Sequence, residues 1–154
     1  MWQRIQSLYL GLAIILNLLI HVFSIASIEA SGQQFDFTLW GLLSTETSEI
    51  LYSSYPLLGL NLISVLLSLV IIFMFKKRQL QIKLSQLNLF IQMGFVAALF
   101  FLVDAAIESL NLSDAIVNYE LGAFVSLVPL LFIYLAIRSI KKDEALVRAA
   151  DRIR

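Results

Sequence analysis

Long apolar stretches alternate with short polar ones along this chain, and the apolar ones are long enough to cross a membrane as helices. About 20 mostly apolar residues span a hydrocarbon core of roughly 30 Å. That criterion places transmembrane helices at residues 5–28, 56–75, 84–105 and 119–138. Pro56 opens the second, where its missing N–H breaks no helical hydrogen bond. None of the four shows the alternation of a barrel strand. Between them lie outer loops at 29–55 and 106–118 and an inner loop at 76–83, with a tail at 139–154. The expected fold class is all-α: one integral membrane domain over 1–154, a four-helix bundle with both termini inside and a short amphipathic helix at the C-terminus. Within the first outer loop, Phe35-Asp36-Phe37-Thr38-Leu39-Trp40 has a two-residue period. It reads as a short strand, or as a segment held at the interface by Phe and Trp.

Composition agrees with the membrane class. Of 154 residues, 60% are hydrophobic and 14% charged, and the mean hydropathy is +0.88. A soluble domain carries about 45–50% and about 25%. The chain has no cysteine, which excludes disulfides, thiolate metal sites and cysteine nucleophiles, and one histidine cannot build a multi-histidine metal site. Arg4, the run Leu8–Ile20 and Ser24-Ile25-Ala26 loosely imitate a cleaved signal peptide. The run is longer than a signal core of about 7–15 residues, so the segment is read as a retained helix.

Charge sets the orientation. All 11 basic residues, with the three acids Asp143, Glu144 and Asp151, fall before the first span, in the inner loop or after the fourth span, a formal +8. The remaining eight acids, among them Glu29, Glu46, Asp104, Glu108 and Asp114, give −8 on the other side. The excess of Lys and Arg marks the cytoplasmic side, so both termini are expected there. The same rule accounts for the basic inner loop, and no nucleic-acid partner is expected.

Polar residues inside the spans are the first candidates for chemistry. Asn17, His21, Asn61 and Gln92 form a candidate intramembrane cluster, with Asn17 and His21 on one helix face. Such groups hydrogen-bond between helices, and they line a cavity only if several face it. A proton relay would want acids at mid-membrane depth. Asp104 and Glu108, one turn apart, instead fall at the outer interface, where water solvates them, and read as interfacial anchors or, alternatively, as a paired-carboxylate cation or proton site. Small residues four apart occur in every span (Ser7/Gly11, Ser64/Ser68, Gly94/Ala98, Gly122/Ser126) and allow close helix approach. Pro129 is expected to kink the fourth helix.

The tail is the second candidate. Leu146, Ala150 and Ile153 share one helical face beside Val147, and Glu144/Arg148 is an i,i+4 pair in the favoured order. Lys142, Asp143, Glu144, Leu146, Val147, Arg148, Asp151, Arg152 and Arg154 are the candidate partner-docking residues. A solvated extension of the fourth helix and a helix lying on anionic lipid are the alternatives. No phosphate-binding glycine loop, nucleophile elbow or metalloprotease motif occurs.

Three segments carry a family resemblance: Met1-Trp2-Gln3-Arg4-Ile5-Gln6-Ser7-Leu8-Tyr9, the inner turn from Lys76 to Asn88, and the ending Ala136–Arg154 with its Lys142-Asp143-Glu144 and Asp151-Arg152-Ile153-Arg154. Together they resemble the family called domain of unknown function 4293, small four-helix inner-membrane proteins of bacteria. Ala149 stands where that pattern has serine. Trp40-Gly41-Leu42 is similar to the claudin layout, but the paired cysteines of that family are absent. The resemblance implies a bacterial inner-membrane protein and carries no activity. The expected function is a non-enzymatic accessory or scaffold subunit, without cofactor or metal, docking a protein partner or a second copy through its cytoplasmic face and otherwise contacting membrane lipids. The alternative is a small solute- or lipid-binding or transport protein using Asn17, His21, Asn61 and Gln92.

Overall fold

The computed structural model describes residues 3–30, 32–75, 77–112 and 114–152; the side chains of Gln3, Arg4, Arg148, Ala150, Asp151 and Arg152 are outside that description. Among the described residues there are four helices, α1 (Gln3–Leu19), α2 (Tyr55–Phe73), α3 (Arg78–Ser109) and α4 (Leu121–Arg152). There are also five strands, β1 (Ala26–Ala30), β2 (Gln33–Phe37), β3 (Gly41–Ser44), β4 (Ile50–Ser53) and β5 (Ile116–Tyr119). The strands make one antiparallel sheet in the order β4-β3-β2-β1-β5.

The all-α expectation is therefore corrected: both loops beyond the helices contribute to a sheet. The physical reason lies in side-chain alternation over short stretches. In β1, Ala26, Ile28 and Ala30 are buried while Glu29 is exposed, and in β2 Phe35 and Phe37 are buried. The apolar run 5–28, expected to be one helix, is helical only to Leu19. Its last residues belong to β1, and Ile25 donates its backbone N–H to Phe37 at 2.7 Å. The fourth span, expected from residue 119, begins as helix at Leu121, because Tyr119 pairs with Ala26 in the sheet. The separate C-terminal helix is likewise absent from the described residues: α4 runs on without a break, Pro129 included.

Each helix packs against two others, α1 against α2 and α4, α3 against α2 and α4. The sheet closes the end of this layer away from Lys77 and Arg78. One continuous apolar core joins sheet residues Ile28, Phe35, Phe37 and Leu42 to Leu57 of α2 and Phe95, Leu99 and Val103 of α3. Three helices, Tyr55–Phe73, Arg78–Ser109 and Leu121–Val147, are long and apolar enough to cross a membrane. Their outward residues suit that solvent: Leu66, Phe73, Phe90, Phe101 and Leu131 are all exposed. The apolar part of α1, Ile5–Leu19, is shorter, because the chain turns into the sheet.

Gly122 marks the tightest junction between layers. Its N–H donates to the Ser24 carbonyl at 3.0 Å, and a Cβ here would sit 2.5 Å from that oxygen. The close approach thus serves the α1–β1 link and not a neighbouring helix. Gly122→Ala should cost about 1–3 kcal/mol, because backbone and not a flexible side chain blocks the methyl. A thermal midpoint equal to that of the native chain in detergent would refute this.

Candidate functional site

Three of the four polar residues expected within the spans come together, and all three are fully buried. Asn17 of α1 and Gln92 of α3 form a reciprocal amide pair: Asn17 Nδ2 donates to Gln92 Oε1 at 3.3 Å, and Gln92 Nε2 donates to Asn17 Oδ1 at 3.2 Å. Asn61 of α2 donates to Asn17 Oδ1 and to the Asn17 carbonyl, each at 3.3 Å. Ser64 Oγ donates to Gln92 Oε1 at 2.9 Å, and Gln92 Nε2 also donates to the Ser126 carbonyl of α4 at 3.3 Å. One amide, Gln92, therefore has both ends occupied and touches partners on the three other helices. Bonds between membrane helices average about 0.6 kcal/mol each, at most about 1.7. The arrangement is a clamp that fixes helix register.

His21 is not part of this group. It lies past the end of α1, half-buried, with its ring edge-on to Trp40 at 5.9 Å between centroids. The turn from helix to sheet carries it away from the face it would share with Asn17 in a continued helix.

The structure adds residues that the polar candidates left out. On α3, Gln81, Ser85 and Asn88 are buried on the same face as Gln92, and α2 presents Ser64 and Ser68 beside Asn61. Asn88 Nδ2 donates to Ser68 Oγ at 2.8 Å, Gln81 Nε2 to the Ile71 carbonyl at 3.0 Å, and Ser85 Oγ to the Gln81 carbonyl at 2.8 Å. The signal was available as spacing: positions 81, 85, 88 and 92 are four, three and four apart, one stripe of a helix. Beyond Gln92 the same stripe continues as Phe95, Leu99 and Leu102. The seam is thus polar towards the Lys77 end and apolar towards the sheet.

Not every polar atom in the seam is satisfied. Gln6 Oε1, Asn61 Oδ1, Gln81 Oε1, Asn88 Oδ1 and Asp143 Oδ2 are buried without a hydrogen-bond donor. Each such acceptor left dry costs about 1–3 kcal/mol.

Asp104 and Glu108 lie exposed in a shallow cleft of about 630 Å³ with Ile107, Asn111 and Leu112. Nearby, Tyr119 of β5 stands edge-on to Phe100, 5.1 Å between centroids. Its phenol pKa is raised, first by burial and then by the Asp104 carboxylate. Among the described residues no group of three or more His, Asp or Glu is arranged to hold a metal ion.

In the tail, Leu146 and Val147 are exposed, 56% and 42%, while Asp143 is buried and its carbonyl accepts from Arg78 Nη1 at 3.4 Å. Lys142 is exposed and Glu144 half-buried. The side chains of Arg148, Asp151 and Arg152, and all of Arg154, lie outside the described residues.

Compared with known protein families, the chain matches one model over residues 2–153, described as Domain of unknown function (DUF4293). The chain belongs to this family. The likeness carried by its opening, its inner turn and its ending is thus borne out over nearly the whole length. No curated protein matches the chain. The family description assigns no activity, so function has to be argued from the surfaces and the interior described above.

Proposed function

We propose that this family member is a bacterial inner-membrane protein whose four helices all lie in the membrane, with both termini cytoplasmic, and that it serves as a non-enzymatic accessory subunit docking a partner through its cytoplasmic tail. The observation that carries the reading is α4 itself. It continues as helix to Arg152, well past the first tail charge at Arg138, and holds Leu146 and Val147 exposed there. Basic residues at that end and eight acids at the sheet end support the orientation. The partner would offer an apolar surface rimmed by acids, since the tail from Arg138 holds six basic residues against three acidic ones. The saturated Gln92 clamp supports a structural interior, with the working surfaces outside it.

The test is native mass measurement of the tagged chain from gentle detergent, beside the variant Leu146→Glu/Val147→Glu. A stoichiometric complex is expected from the native chain, with at least tenfold less partner on the variant. A lone monomer, or a complex that survives both glutamates, would overturn the docking role. The second reading, a small-solute site in the interior, is favoured by one observation only, the acceptors below Gln92 that lack donors.

A further inference from the structure

Where two chain links pass from the helices to the sheet, the surface holds a cleft of about 380 Å³. Phe23 and Ser24, in the link from α1 to β1, line one part of it. Tyr119, Glu120, Leu121 and Phe124, from the end of β5 to the first turn of α4, line the rest. The early end of α1 creates it. That helix stops at Leu19, and the chain then turns so that Ser24 and Ile25 accept the N–H groups of Gly122 and Glu120 at 3.0 and 2.9 Å. The start of α4 is left uncovered: Leu121 and Phe124 are exposed, as is Val22. Depth follows from α4. From Leu121 to Ile137 it carries no charge over 17 residues, about 26 Å of helix, with Glu120 at one limit and Arg138 at the other. Glu120 therefore stands at the boundary of a hydrocarbon core of roughly 30 Å, at headgroup level.

The charge of a fitting ligand is fixed by what surrounds the cleft. Glu120 is exposed, and no Lys or Arg occurs at residues 5–75 or 84–137, so this end of the protein offers it no counter-ion. A helix N-terminus ordinarily draws anions. At α4, however, the N–H groups of Gly122 and Ala123 are taken by the Ser24 and Glu120 carbonyls. Phe23, Tyr119 and Phe124 complete the lining, and aromatic rings attract ammonium groups. We propose that the cleft binds a membrane phospholipid of the phosphatidylethanolamine type, its ammonium on the Glu120 carboxylate among these rings and an acyl chain along Leu121 and Phe124. A lipid supplies both parts of the match, a cation for the carboxylate and an apolar chain for the uncovered start of α4. A soluble amine supplies only the first. The site rests on α4 crossing the membrane and is independent of the tail's role as a docking surface.

Native mass spectra of the full chain test this, taken from detergent micelles holding equal amounts of phosphatidylethanolamine and phosphatidylglycerol with the same acyl chains. The second lipid ends in glycerol and has no ammonium. The native chain is expected to retain at least fivefold more of the ethanolamine lipid. Glu120→Gln should abolish that preference, whereas Glu46→Gln, which removes the same charge from the exposed turn between β3 and β4, should leave it. Equal retention of the two lipids by the native chain, or a preference that survives Glu120→Gln, would overturn the site. Free ethanolamine in hundredfold excess should leave the lipid in place, and displacement by it would overturn the lipid as occupant. If Glu120→Gln misassembles, the native chain decides. Nuclear Overhauser contacts between the ethanolamine methylene protons and the Phe124 ring are expected, and their absence overturns the proposal as surely.

Discussion

Gly41→Ala is expected to lower the stability of the protein by about 3–5 kcal/mol, a fall in thermal midpoint of roughly 10 °C, although it adds one methyl group to a turn. Gly41 has φ +148°, a backbone conformation that side-chain-bearing residues rarely adopt, and its Cβ would be driven onto the Tyr52 carbonyl of the neighbouring strand. Neither clash nor strain can be relieved locally. The turn is held by Thr38 and Gly41 exchanging backbone hydrogen bonds at 2.8 and 3.2 Å. Ser54, just before α2, donates its N–H to the Trp40 carbonyl at 3.2 Å and its hydroxyl to the Leu39 carbonyl at 2.7 Å. Moving Gly41 thus moves the start of α2 as well as β4. Gly94→Ala is the control, because its Cβ would meet nothing within 4 Å and alanine favours the helix by about 0.5–1 kcal/mol. A melting point for Gly41→Ala within a degree or two of Gly94→Ala would show that the sheet does not constrain the helices.

The helices were legible in the sequence because a membrane makes an unusually simple demand: long, apolar and uncharged. The sheet was harder to see for the same reason. Counting charges merged Ile25–Ile28 with the helix before it, although Ala26, Ile28 and Ala30 alternate with outward neighbours as a strand requires. Only Phe35 and Phe37 made the two-residue period visible, and that segment fitted an interfacial anchor equally well. β5 has four residues, three of them exposed, and owes its state to pairing with β1, which no local pattern announces. The polar site was half legible. Asn17, Asn61 and Gln92 stood out as large polar groups in apolar surroundings. Ser64, Ser68 and Ser85 did not, since serine is tolerated inside membrane helices; Gln81 falls in the inner loop 76–83, and Asn88, although inside the span 84–105, was passed over beside its polar start Ser85-Gln86. His21 was grouped with Asn17 on the assumption that the helix continued, and the turn after Leu19 removed that assumption.

Gln92→Leu should cost about 2–4 kcal/mol, more than removal of any other single polar side chain in the seam. Leucine fits the space of glutamine closely, so the effect isolates hydrogen bonding from packing. The change removes four bonds at once, to Asn17 Nδ2, Asn17 Oδ1, Ser64 Oγ and the Ser126 carbonyl. At membrane values of about 0.6 kcal/mol each the bonds alone account for about 2.4 kcal/mol, and a stranded Asn17 amide adds to that. Asn88→Leu removes one bond, to Ser68, and should cost markedly less. Gln92→Glu separates a clamp from a mere polar filler. A carboxylate there would face Asn17 Oδ1 and the Ser126 carbonyl, two acceptors that the amide nitrogen now satisfies. At neutral pH this variant should be at least as unstable as Gln92→Leu, and acid should recover part of the loss, because a protonated carboxyl supplies one donor. Reversible unfolding in mixed detergent, compared across the three variants, gives the ranking. If Gln92→Leu and Asn88→Leu cost the same, the four helices are held by packing alone and the amide pair is an accessory to it.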